Sequence, residues 1–143
     1  MNCKLCDRMS LAKEKKYPFI IHEFKHSFLQ LGEHQYYPGY SILVTKDHYR
    51  EMTDVPAQMR MELFEEMMTA HQAIQDALNP KKMNMCSLGN VIDHIHWHFF
   101  PRFSEDPLFN NPPWLQMHLF DQNKVSDEKR DEMINKIRAK IKQ

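Results

Sequence analysis

Apolar residues first gather in short clusters, Phe19 to Ile21, Ser27 to Leu31 and Ser41 to Thr45, each bounded by polar residues or by Pro38-Gly39. Clusters of that length between turn residues read as β-strands, with Pro38-Gly39 as the turn between two of them. From Asp54 the period changes. Met59, Leu63, Met67, Ala70, Ile74 and Leu78 recur at steps of three and four, which places them on one stripe of a principal helix. Asp54 caps its start, Pro56 suits its first turn, and Asn79-Pro80 ends it. The methionines of that stripe are read as core packing.

Two more strands are expected over Lys82 to Leu88 and Ile95 to Phe103, joined through Gly89-Asn90. A second helix starts at Ser126-Asp127-Glu128, an N-terminal cap with acidic first-turn residues, and runs through Met133, Ile134, Ile137 and Ile141. Helix and strand are thus segregated. The fold class is α+β: an antiparallel sheet of about five strands with one principal helix and a C-terminal helix.

A length of 143 residues fits one domain, and neither a repeat nor a low-complexity linker divides it. Nineteen basic residues balance nineteen acidic ones, so no positive field exists to hold a nucleic acid. No apolar stretch approaches the roughly 20 residues of a membrane span, and no signal-peptide apolar region opens the chain. A soluble, unexported protein is expected. Cys3 and Cys6, two of only three cysteines, have a spacing suited to metal or redox chemistry, which favours a cytoplasmic location.

His94, His96 and His98 alternate with Ile95, Trp97 and Phe99. On a strand such alternation puts three imidazoles on one face and the apolar set on the other. A bland exposed stripe would look the same from spacing alone. Two chemistries suit co-facial imidazoles: a metal site whose bound water attacks, or an imidazole nucleophile tuned by its neighbours. Spacing leaves both open.

The run from Leu88 to Arg102 around these histidines, together with the Cys3/Cys6 pair, the segment Pro38 to His48 and the intervening helix, resembles the histidine triad (HIT) family, in particular bacterial diadenosine polyphosphate hydrolase-like members. The resemblance covers roughly residues 1 to 103 and implies a half-barrel sheet with a nucleotide cleft. It implies that His96 attacks the α-phosphorus to form a nucleotidyl-imidazole, which water then hydrolyses. Substrates would be nucleoside phosphoanhydrides or phosphoramidates, with no organic cofactor. His98 would hydrogen-bond phosphate oxygens or help protonate the leaving group. A nucleotide-sensing or scaffold protein with vestigial catalysis is the non-enzymatic alternative.

The same resemblance suggests Asn84 or Asn90 as a phosphate-contacting amide and Glu33 as a ribose contact, unless Glu33 is merely an exposed loop acid. Trp114 matches a tryptophan that in some members approaches the partner's cleft in a homodimer, unless it is a buried anchor. Tyr40 departs from the pattern, for many members have histidine after this glycine. In zinc-bearing relatives the cysteine pair is completed by the histidines here numbered His48 and His94, so residues 1–10 would be a zinc-binding tail and 104–143 an extension of a single domain. His22, His26 and His34 are rival ligands, and Cys86 reads as a small core hydrophobe.

Overall fold

The structure, a computed structural model, describes residues 2–142. Five strands form one antiparallel sheet: β1 (Ile20–Glu23), β2 (Ser27–Leu31), β3 (Ser41–Thr45), β4 (Lys82–Cys86) and β5 (His96–Arg102), in the order β1-β2-β3-β5-β4. The last strand thus inserts beside β3 and leaves β4 at the edge. Observed β4 stops at Cys86 and β5 starts at His96, inside the ranges expected from apolar content. The residues trimmed off belong to the loop before the histidines.

Three helices accompany the sheet: α1 (Lys4–Lys13), α2 (Ala57–Leu78) and α3 (Asp127–Arg138). The expected stripe of α2 lies on one side of the sheet, where Leu63, Met67, Ala70 and Ile74 join Leu29, Leu31, Leu43, Trp97 and Phe99 in the largest core cluster. Each of the larger of these side chains contributes roughly 1.5–3 kcal/mol by burial. Asp54 does not cap α2. Its carboxylate accepts from the Glu51 N–H within a preceding 3-10 turn, and Pro56 takes the cap position. Asn79 ends the helix in the left-handed conformation at φ 48°.

Helix α3 begins as expected, with Ser126 Oγ accepting from the Lys129 N–H at 3.4 Å. Ile134 and Ile137 enter the same core cluster, and Arg138 donates to the carbonyls of Ile20 and Ile21. The C-terminal helix therefore covers the sheet and occupies polar groups of its edge strand.

The opposite side is covered only at its ends. Residues 4–13 are not a tail but α1, whose Leu5, Met9 and Ala12, spaced by four and three, pack on Phe28 and Val44. The helical signal there is short, and the cysteines masked it. At the other end Tyr37, Tyr40, Phe100 and Phe120 form an aromatic cluster. Gly39 makes the adjoining turn possible at φ +87°, where a Cβ would also meet Leu78 at 2.0 Å. Between the two coverings lie Ile42, His96 and His98.

Arg102, only 1% exposed, fastens the end of β5. It donates to Asp106 Oδ2, Asn84 Oδ1 and the carbonyls of Leu108 and Asn111, and so anchors the segment that leads to Trp114. Arg102→Met would strand these acceptors and leave Asp106 without its cation, holding only the Phe103 N–H, and should cost about 3 kcal/mol or more. Chemical denaturation at constant slope checks the figure, and a change within 0.5 kcal/mol, about the effect of an ordinary surface substitution, would contradict it.

Candidate active site and metal cluster

Antiparallel register sets Val44 opposite His96 and Ile42 opposite His98, while Cys86 of β4 flanks His98 from the other side. A single row therefore crosses the sheet through Ile20, Gln30, Ile42, His98 and Cys86. His96 and His98 share this face, with ring centroids 4.7 Å apart. His96 Nδ1 donates to its own neighbour's backbone, the carbonyl of His94, at 2.6 Å. With its proton held there, Nε2 of a neutral His96 carries the lone pair on a half-buried ring.

His94 does not stand beside them. It precedes β5 and is fully buried, with Nε2 donating to the Thr45 carbonyl at 2.8 Å and Nδ1 facing the cysteines. The expectation of three imidazoles aimed into one cleft is corrected to two, because the chain is not yet extended at His94 and alternation does not apply there.

His98 sits in an aromatic cage. Tyr40 Oη meets its Nδ1 at 2.6 Å, Trp114 stands edge-on at 4.8 Å, and Phe100 lies parallel at 6.0 Å. A ring column runs on from there: Phe100, Tyr40, His34 and Phe120 stack at centroid spacings of 4.5, 4.6 and 4.1 Å. Burial pushes His98 down to about 3 and His34 to about 4, and raises Tyr40 so that it stays a phenol. The Nδ1 of His34 is buried without a partner.

Trp114 thus lies against His98 of its own chain, its indole N–H buried and unpaired. Asn84 sits on β4 opposite Phe100, its carbonyl engaged by Arg102. Asn90 is exposed in the loop before the histidines. Glu33 is also exposed and accepts from Arg8 at 2.6 Å and from Tyr17 Oη at 3.1 Å, at the α1 side of the site. Cys86 is half-buried beside His98 rather than in the core, since β4 is an edge strand. Sequence reasoning missed Gln30, a buried amide with neither end paired, whose strand reads as apolar around it.

Cys3, Cys6, His48 and His94 converge, with all four ligand atoms within 4.8 Å of one another. Cys6 Sγ lies 3.3 Å from His48 Nδ1 and 3.5 Å from His94 Nδ1, and Cys3 Sγ lies 3.7 Å from the latter. Tetrahedral zinc, with Zn–S about 2.3 Å and Zn–N about 2.0 Å, requires S···N edges of about 3.5 Å. The Thr45 carbonyl orients His94, while His48 Nε2 stands 3.5 Å from Asp93 without a hydrogen bond. The rivals are occupied elsewhere, His26 with Glu62, His22 against Phe24 and His34 in the ring column.

The family model for the HIT domain matches residues 13–105. A histidine triad protein from Bradyrhizobium japonicum shares the fold at TM-score 0.75 and 22% identity, over 86% of this chain and 90% of its own. A hypothetical histidine triad nucleotide-binding protein from Sulfolobus tokodaii gives 0.74 at 18% identity over 95% and 91%. A zinc-bound histidine triad family protein from Mycobacterium smegmatis gives 0.68 at 20% identity over 99% and 94%. No curated protein sequence matches the chain. Among the described residues no helix is long and apolar enough to cross a membrane.

Because His34 and His98 protonate less readily folded than unfolded, their contribution to stability is complete above about pH 6.5. It is lost as pH falls toward about 4 for His34 and about 3 for His98. His34→Phe, which keeps the stack, should flatten the decline in melting temperature between pH 6.5 and 4. An unaltered decline would show that His34 carries none of it.

Proposed function

The chain belongs to the histidine triad family, and on that premise we propose that it cleaves a nucleoside phosphate bond at the α-phosphorus through a covalent intermediate on His96. The observation that carries this reading is the hydrogen bond from His96 Nδ1 to the His94 carbonyl. It leaves Nε2 of the neutral ring free to act as a nucleophile. His98 lies one step further along the same face, within reach of the phosphate that Nε2 would attack.

A rival metal-dependent hydrolase would need all three imidazoles on one ion. The seating of His94 among the cysteines favours the nucleophile reading. We assign Trp114 to the cleft wall because it touches His98, and Asn84, Asn90 and Glu33 to outer substrate contacts that binding assays would rank. The exposed Met61, Phe64 and Met68 of α2 favour pairing of two copies.

Zinc fits the Cys3, Cys6, His48 and His94 donor set, and its role there is structural. When bound, it joins α1 to the segment that leads into β5, supplying folding energy. The chain's own part is to orient His94 through Thr45 and to present the His94 carbonyl to His96.

His96→Ala should lower turnover of a dinucleoside polyphosphate by several orders of magnitude while nucleotide affinity changes little. Rapid-quench mass spectrometry of the native enzyme should trap an acid-labile nucleotidyl adduct. Retained turnover in the variant without an adduct in the native protein would refute the assignment. Elemental analysis should find close to one zinc per chain, and Cys6→Ser should lower that content and the melting temperature more than it lowers the chemical rate. Protein that is fully folded and active without zinc would remove the structural role.

A further inference from the structure

We infer that Tyr40 is a positioning residue that locks His98 as a hydrogen-bond donor through Nε2, so that the site favours leaving groups able to depart as anions over those that must be protonated. This rests on the nucleotide-hydrolase reading and specifies its substrate class as phosphoanhydride rather than phosphoramidate.

Oxygen and nitrogen approach to 2.6 Å, and a phenol O–H is a better donor than a neutral imidazole N–H, so Tyr40 donates and Nδ1 of His98 accepts. The remaining proton of His98 must then sit on Nε2. Tyr40 cannot swing away. It is 4% exposed and is stacked between Phe100 and His34. Its ring also lies over Gly32, where a Cβ would fall 2.2 Å from Tyr40 Cδ1, so a glycine is required beneath it. Among the described residues no acidic group accepts from His98 to stabilise a cation, and burial disfavours that form as well. Trp114 and Phe100 complete an apolar surround.

A neutral Nε2–H stabilises charge on phosphate oxygens or on a departing oxyanion, and it delivers no proton unless Tyr40 gives its own to Nδ1. That relay would leave a tyrosinate inside an aromatic cluster, which burial opposes. In the step itself the His96 Nε2–P bond forms and the P–O bond to the leaving phosphate breaks, with the electron pair staying on that oxygen. Water then attacks phosphorus, the N–P bond breaks, and the water proton passes to solvent. A phosphoramidate nitrogen must instead acquire a proton as its P–N bond breaks, and among the described residues the neighbours of His98, a buried phenol and two apolar rings, are poor sources of one.

Long-range nitrogen–proton correlation spectra of the labelled native protein should show His98 as a single Nε2–H tautomer, and Tyr40→Phe, which keeps the ring stack, should convert it to a mixture. The native enzyme should prefer diadenosine triphosphate over adenosine 5′-phosphoramidate in kcat/KM by about a hundredfold or more, the scale of a general acid's contribution. Tyr40→Phe should lose roughly three- to tenfold on the anhydride, the worth of one hydrogen bond. Tyr40→His, which restores a titratable partner, should narrow the preference. An Nδ1–H tautomer in the native protein, an unaltered tautomer in Tyr40→Phe, or equal rates on the two nucleotides would each overturn the inference. Absence of turnover on both nucleotides would sink the hydrolase reading and the leaving-group preference with it, while the spectra still decide the tautomer.

Discussion

The carbonyl oxygen of His94 is held at 2.6 Å from His96 Nδ1, and the rest of the site depends on its not moving. Three independent elements fix that residue. The Thr45 carbonyl of β3 accepts from its Nε2, Cys3 at the start of α1 and Cys6 within it face its Nδ1, and the strand that follows pairs with both β3 and β4. One amino acid thereby joins the cysteine–histidine cluster to His96. Its side chain belongs to the first and its backbone to the second.

Around His98 the constraint is dielectric rather than coordinative. Aromatic rings exclude water and leave a neutral imidazole as the stable form, and the tyrosine hydroxyl then decides which nitrogen holds the proton. The two histidines of the face are thus oriented by different means, a main-chain acceptor for one and a side-chain donor for the other. Their free nitrogens end in opposite states, one with a lone pair and one with a proton.

Much of this was legible in the sequence because the period of apolar residues survives folding wherever one face is buried. The stripe of α2 follows from it, the strands follow from short apolar clusters between turn residues and the Ser126 cap from its acidic first turn, and the convergence of Cys3, Cys6, His48 and His94 agrees with the ligand set that the family resemblance implies. Other features were hidden for physical reasons. Helix α1 is stabilised by packing on Phe28 and Val44, partners that no local pattern reveals. His34 and Tyr40 become stacked only when Gly32 and the Pro38-Gly39 turn bring them together. His94 escaped alternation because a strand's period begins only where its pairing begins.

The tie from Arg138 and Ile137 back to β1 sets an order on biosynthesis. A ribosome makes β1 more than a hundred residues before the helix that covers it, so the nascent sheet waits with its outer carbonyls unsatisfied and its core open until residues 134–138 have emerged. During that interval the strand edge is available to any other extended chain nearby. Truncation or stalling short of α3 would therefore be felt first as a failure of solubility in the cell, well before any question of chemistry arose.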